Sequence, residues 1–289
     1  MPIESLSALM RAGESRDLFD IIIDNDCIDR GATREESFEK MRGMFLAIRR
    51  AKEGYDPALR SQSGMVGGEG AKMREYLKNK KTISGDYAAS VIAQALEMGE
   101  SNACMKCIVA APTAGSCGVL PAALLPYQER EHLSDDDMIR ALYVAGAIGQ
   151  VVAKKASIAG AAGGCQAEIG TASAMAAGAL CYLAGGDATA VCHAAAIAIK
   201  SLLGLVCDPI AGLVEVPCVK RNAAGALLAM SSADMALAGI RSAVPPDEVI
   251  DAMRDVGDKM DVSLRETGIG GVAGTQFGQM ISEKMSEGR

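Results

Sequence analysis

Apolar residues recur along most of this chain at intervals of three and four, the period of an amphipathic helix, and short runs of Gly, Pro, Ser and Asp separate the recurrences. Residues 4–28 read as one helical region rich in Asp and Ile. Thr33 with Glu36 makes a capping-box pattern that opens a second helix to about Lys52, with Phe38, Met41, Phe45 and Ile48 on one face. Asp86 can cap a helix over "YAASVIAQALEMG", and Ser134 with Asp137 starts another through about Lys155. The run 165–184 is closed by Gly185, and Asp187 caps a helix through Leu203 with Gly204 past its end. Segments 220–240 and 246–260 carry the same period. Strand-like alternation is confined to "CIVAA" and "LVEVP". The pattern predicts a mainly α fold of about nine helices, a single large Ala/Gly-rich helical domain with ligand loops between helices.

The breaks are as informative as the helices. "DPALRSQSGMVGGEGAK", residues 56–72, is rich in Gly and Ser and suits a turn or ligand loop; it also marks a possible hinge after an N-terminal helical pair, residues 1–55. "APTAGSCG", residues 111–118, ends helical character, and Pro121 and Pro126 are expected to shorten or kink any helix over residues 119–130. "CDPIAGLVEVPC", residues 207–218, cannot be one regular helix, because Pro209 and Pro217 interrupt it and Gly212 loosens its middle. The tail "GIGGVAGTQFG" reads as loop.

Composition narrows the function. Acidic residues outnumber basic ones 36 to 29, a net charge of −7, which argues against general affinity for nucleic acid or an anionic membrane. Tryptophan is absent, so the helices must pack on small side chains. "MPIESLSALMRAGESRD" lacks the apolar core of a signal peptide, and the nearest approach to a membrane span, residues 169–186, is Ala/Gly-rich and reads as a buried helix. A cytoplasmic protein is expected. Nine cysteines, an odd number in a chain of this size, do not suggest a disulfide framework; most should pack as small hydrophobes.

Cys104 and Cys107 form a CxxC without a second ligand pair, and packing explains them better than zinc or redox chemistry. "GIGGVAG" and "GGEGAK" do not match nucleotide-binding loops. His132 lies in a charged turn and His193 in an apolar helix, so neither makes an obvious general base. Cys165, Cys207 and Cys218 differ from Cys181 and Cys192 in that each sits beside a chain breaker. Thiolates presented from loops or helix ends suit an iron–sulfur site, where backbone N–H groups can approach the sulfurs. Their wide separation in sequence leaves simple packing open as well.

Longer blocks sharpen this reading. "VAAPTAGSCGVLPAALL" (109–125), "SIAGAAGGCQAEIGTASAMAAGAL" (157–180) and "CDPIAGLVEVPCVKRNA" (207–223) resemble the α chain of the oxygen-sensitive iron–sulfur L-serine dehydratases, and "SGMVGGEGAK" (63–72) and "LRETGIGGVAGT" (264–275) are also similar to motifs of that family. The resemblance implies a [4Fe–4S] cluster held by Cys165, Cys207 and Cys218, with one iron lacking a cysteine from this chain, which ends "SEKMSEGR". It further implies a PLP-independent β-elimination that converts L-serine to pyruvate and ammonia, the open iron acting as a Lewis acid. The family's α chain works with a β chain, or a fused domain, bearing a Ser-His-Thr type motif; the general base is therefore expected from a partner, within an oligomer. Ser63, Gly64, Gly67, Gly68, Thr113, Gly115 and Ser116 are the candidates for holding the substrate carboxylate through backbone N–H and hydroxyl donors, with Lys72 as a possible cation. Cys117 could line the pocket without being a ligand. The competing readings are the same scaffold acting on cysteine or threonine, and a non-catalytic iron–sulfur protein.

Overall fold

The computed structural model describes residues 3–287. Among them are thirteen α-helices and no strand, which bears out the mainly α reading. The helical region 4–28 is two helices, α1 (Leu6–Gly13) and α2 (Leu18–Arg30). The break has a local cause: Ser5 caps α1, and Asp17 caps α2 by accepting from Phe19 N at 2.9 Å. Helix α3 (Arg34–Glu53) begins with the expected capping box, Thr33 and Glu36 each accepting from the other's backbone.

A correction concerns residues 56–72. The loop ends early, because α4 (Glu69–Asn79) starts inside it. Its first N–H groups are capped from a distance. Glu100 Oε1, on α5 (Gly85–Ala103), accepts from Glu69 N at 2.6 Å, and Tyr55 Oη accepts from Ala71 N at 3.2 Å. Asp86 lies within the first turn of α5 and does not cap it.

Helix α6 (Val119–Glu131) runs through both prolines. Pro121 falls in its first turn, where a missing N–H leaves no bond unmade. Pro126 removes one internal bond, and burial of the surrounding residues 119–126 holds the helix together. "CIVAA" and "LVEVP" form no strands, since no neighbouring strand among the described residues offers them a ladder.

The core is built around α9 (Thr171–Leu183), whose residues 171–181 are all buried. A helix apolar on every side belongs inside a bundle. It packs against α6, α7 (Asp135–Lys155), α10 (Ala188–Ser201) and α11 (Cys218–Leu237). Alanine, glycine and serine on these surfaces let the axes approach closely. At Gly178 any Cβ would run into Ile148 Cδ1 of α7. Apolar residues of α1, α2 and α3 belong to the same buried cluster as those of α7, α9 and α10.

After α7 the chain passes through the short α8 (Gly160–Gly163) and one π turn, Gln166–Gly170, before α9. Helix α12 (Pro246–Lys259) precedes the glycine-rich loop, and the tail read as loop ends in α13 (Gln276–Glu287). None of the described helices is long and apolar enough to cross a membrane.

Candidate metal centre and substrate loops

Chain breakers put the three singled-out cysteines at helix ends or on extended chain. Cys165 immediately precedes the π turn, a feature often found at functional sites. Cys207 lies on an extended stretch, where its N donates to Leu264 O at 2.9 Å and its O accepts from Glu266 N at 2.7 Å. Cys218 opens α11. All three are buried, at 2%, 2% and 7% exposure.

The fold brings Cys165 and Cys207 together. Their sulfurs and a carboxylate oxygen of Glu168 all lie within 4.8 Å of one another. Glu168 Oε2 is 4.0 Å from Cys165 Sγ and 3.9 Å from Cys207 Sγ. Gly160 keeps the cradle open: a Cβ there would stand 2.8 Å from Glu168 Oε2 and 2.9 Å from Cys207 Sγ. Cys218 is not part of this close group.

Arg221, one turn into α11, is the cation of the site. Its Nη1 donates to Val206 O at 2.9 Å and to Cys165 Sγ at 3.5 Å, while Nη2 lies 2.9 Å from Asp208 Oδ1. Cys165 is held below the ordinary thiol range, first by hydrogen bonding from Cys207 and then by the Arg221 charge, against the opposing effect of burial. Cys207 is pushed up by the same shared hydrogen bond and by burial. Burial pushes Cys218 up to about 12, with the charges of Cys165 and Glu168 adding to it. Burial also raises Glu168, while a hydrogen bond from Thr113 works the other way. Two cysteine sulfurs and a carboxylate oxygen gathered beside a guanidinium form a donor set of the kind that holds a metal.

Four loops build the surroundings: two meet this centre directly, and one is fastened to the 207–218 segment that carries Cys207 and Cys218. In the first, Thr113–Ser116 forms a tight turn in which the Thr113 and Ser116 hydroxyls are 3.1 Å apart. A Cβ on Gly115 would be 3.5 Å from Glu168 Oε1, so this turn faces the carboxylate. Asn222 ties it to α11, accepting from Gly118 N at 2.8 Å and donating to Gly115 O at 2.8 Å and Cys218 O at 2.9 Å.

The second loop carries Ser63, Gly64, Gly67 and Gly68. Glu215, 3% exposed and lying between Cys207 and Cys218, holds it. Glu215 accepts from Ser61 Oγ at 2.6 Å, from Ser63 Oγ, and from Ser63 N at 3.3 Å. Gly67 has φ 139°, and a side chain there would collide with Leu59 O. Gly68 stands at the N-cap of α4, Gly64 is exposed in the turn, and Lys72 is exposed on α4. The third loop, 264–272, pairs with Cys207 and donates Val272 N to Asp208 Oδ2 at 2.8 Å. The fourth is the 207–218 segment itself.

Other candidates fall away from the centre. Cys117 is fully buried, directs its sulfur to Met98 O at 3.7 Å, and does not line an open pocket. Cys104 is half-buried but Cys107 is exposed, so packing does not account for the second cysteine of that pair. His193 Nδ1 accepts from Ser242 N at 3.1 Å, a structural role, and His132 ends α6. Glu168, Asp208, Glu215, Arg221 and Asn222 were not foreseen from sequence. Their only signal was nearness to a singled-out cysteine, such as Glu168 three positions after Cys165.

A family profile described as "Serine dehydratase alpha chain" matches residues 9–273. The chain is 47% identical over 269 residues to "Probable L-serine dehydratase, alpha chain" of Bacillus subtilis, covering 93% of this chain and 90% of that protein. It is 43% identical over 265 residues to "L-serine dehydratase, alpha chain" of Peptoniphilus asaccharolyticus, covering 91% of each. Against "L-serine dehydratase TdcG" of Escherichia coli it is 42% identical over 209 residues, 70% of this chain but 45% of that protein. The profile match runs from within α1 to the loop that pairs with Cys207, taking in every residue that builds the centre, and on that evidence the chain belongs to the serine dehydratase α-chain family.

Proposed function

We propose that this chain is the catalytic subunit of an L-serine dehydratase, an oxygen-sensitive lyase that converts L-serine to pyruvate and ammonia. The observation that carries the reading is the convergence of the Cys165 and Cys207 sulfurs with Glu168 beside the Thr113–Ser116 turn. Cys165, Cys207 and Cys218 would hold a [4Fe–4S] cluster. The donor chemistry fits: soft thiolates select iron–sulfur centres, and the space that Gly160 leaves clear is where sulfur and carboxylate meet. Bound there, the cluster supplies a Lewis acid that eases departure of the serine hydroxyl.

The chain's own residues do the rest. Arg221 donates to Cys165 and keeps its charge in place. The 113–116 and 63–68 loops would offer backbone N–H donors to the substrate carboxylate; the Ser63 hydroxyl is spent on Glu215, which with Asn222 holds the loops in position. Water leaves as the α-proton and the β-hydroxyl; the resulting aminoacrylate tautomerises to an imine and hydrolyses. A base must take the α-proton, and neither histidine lies at the centre. A partner β chain would supply it, playing the part of the sequence that lies beyond the match in the longer Escherichia coli relative. Nine free cysteines suit a reducing cytoplasm.

The compactness of the Cys165–Glu168–Cys207 group favours one second reading, a single ion such as zinc. Protein made and purified without oxygen decides between them. Iron with matching acid-labile sulfide, and pyruvate formed from serine in preference to threonine or cysteine once the β chain is added, is the expected result. Zinc without sulfide, or no pyruvate from serine with both chains and full iron content, would overturn the proposal.

A further inference from the structure

Glu168 is a poor place for a carboxylate unless something positive joins it. It is half-buried and faces two thiols at 3.9 and 4.0 Å. The nearby cation, Arg221, is already committed to Asp208, to Val206 O and to Cys165. A carboxylate with no counter-charge in such surroundings is costly. Yet the chain keeps room for it, since Gly160 leaves its Oε2 unobstructed and Gly115 approaches its other oxygen.

We propose that Glu168 is itself a ligand, the oxygen donor that completes a four-membered set with Cys165, Cys207 and Cys218 while no substrate is bound. The set then joins three thiolates to one carboxylate, and the metal core supplies the missing positive charge. This deepens the metal part of the function proposed above and does not depend on the identity of the substrate. It places the oxygen donor three residues from Cys165, across the π turn, so that the turn sets the spacing of two ligands.

The test uses the full-length apo-protein and Co2+ as probe, without serine. Wild type is expected to bind Co2+ with sulfur-to-metal charge-transfer absorbance. Glu168→Gln is expected to weaken binding by about 10-fold or more, the scale on which even outer-shell changes act. Glu168→Cys, which restores a donor, should recover affinity to within a few-fold and intensify the charge-transfer band. Iron retention after anaerobic loading should follow the same order. Wild-type affinity and spectrum in Glu168→Gln would overturn the proposal. So would equal loss in Gln and Cys variants, which would mean that the carboxylate only supports the fold. Intact metal binding with no pyruvate from serine would count against the serine reading alone.

Discussion

Asn222 shows how much a single buried side chain can settle. It is 1% exposed and satisfies one N–H and two carbonyls belonging to the 113–118 turn and to Cys218. Truncation to alanine strands the buried Gly118 N and leaves the half-buried Gly115 O without its partner; a stranded buried group costs about 1–3 kcal/mol. Asn222→Ala should therefore lower the urea midpoint by the equivalent of about 2–4 kcal/mol with an unchanged slope, and shorten iron retention. Nothing in "CVKRNA" announced this residue, because a polar residue near a helix start is ordinary until its partners are known. Cys165 and Cys207 stood out because each sits beside a chain breaker, and the fold brings their sulfurs together; Cys117, beside Gly118 and fully buried, shows that such a neighbour alone does not exclude packing.

At the scale of elements, the local caps were readable and the remote ones were not. Thr33, Ser134 and Asp187 cap α3, α7 and α10 as their spacing implies, since donor and acceptor lie within four residues. The start of α4 depends on Glu100 and Tyr55, which no local pattern reveals. The close crossing of α7 and α9 makes a test of small-residue packing. Gly178→Ala should destabilise by about 1–3 kcal/mol through overpacking against Ile148 Cδ1. Ile148→Val removes that atom, so the double variant should lose less than the sum of the two singles in a denaturant cycle. Strict additivity would show that the helices shift apart instead.

At the scale of the molecule, Asp247 joins α12 to the start of α1. From α12 it accepts from Leu6 N at 3.0 Å and Ser7 N at 2.9 Å, with Ser7 Oγ at 2.5 Å and Lys155 Nζ 3.5 Å away. Burial alone would raise this carboxyl, but the Ser7 and Leu6 hydrogen bonds and the Lys155 charge outweigh it and hold it below its usual range. The unfolded chain then binds the extra proton first. The stabilisation is complete above the ordinary carboxylate pKa and fades as pH falls through the lower folded value. Asp247→Asn should cost about 1.5–3 kcal/mol at neutral pH, the worth of hydrogen bonds to a charged group. The gap between variant and wild type should close in acid, measured by denaturant titration across pH. A gap independent of pH would mean that the charge plays no part.

By itself the sequence determined the helical class, the capped helix starts, the reliance on small side chains and the three cysteines set apart by chain breakers. These come from interactions within a few residues, or from composition, and neither needs the fold. Only the tertiary structure decided that Glu168 meets Cys207 from 39 positions away, that Arg221 serves both Cys165 and Asp208, and that Glu215 fastens the serine-bearing loop. Such meetings depend on which helix ends the packed core brings together. A side chain's partner across the bundle has no counterpart in its local sequence.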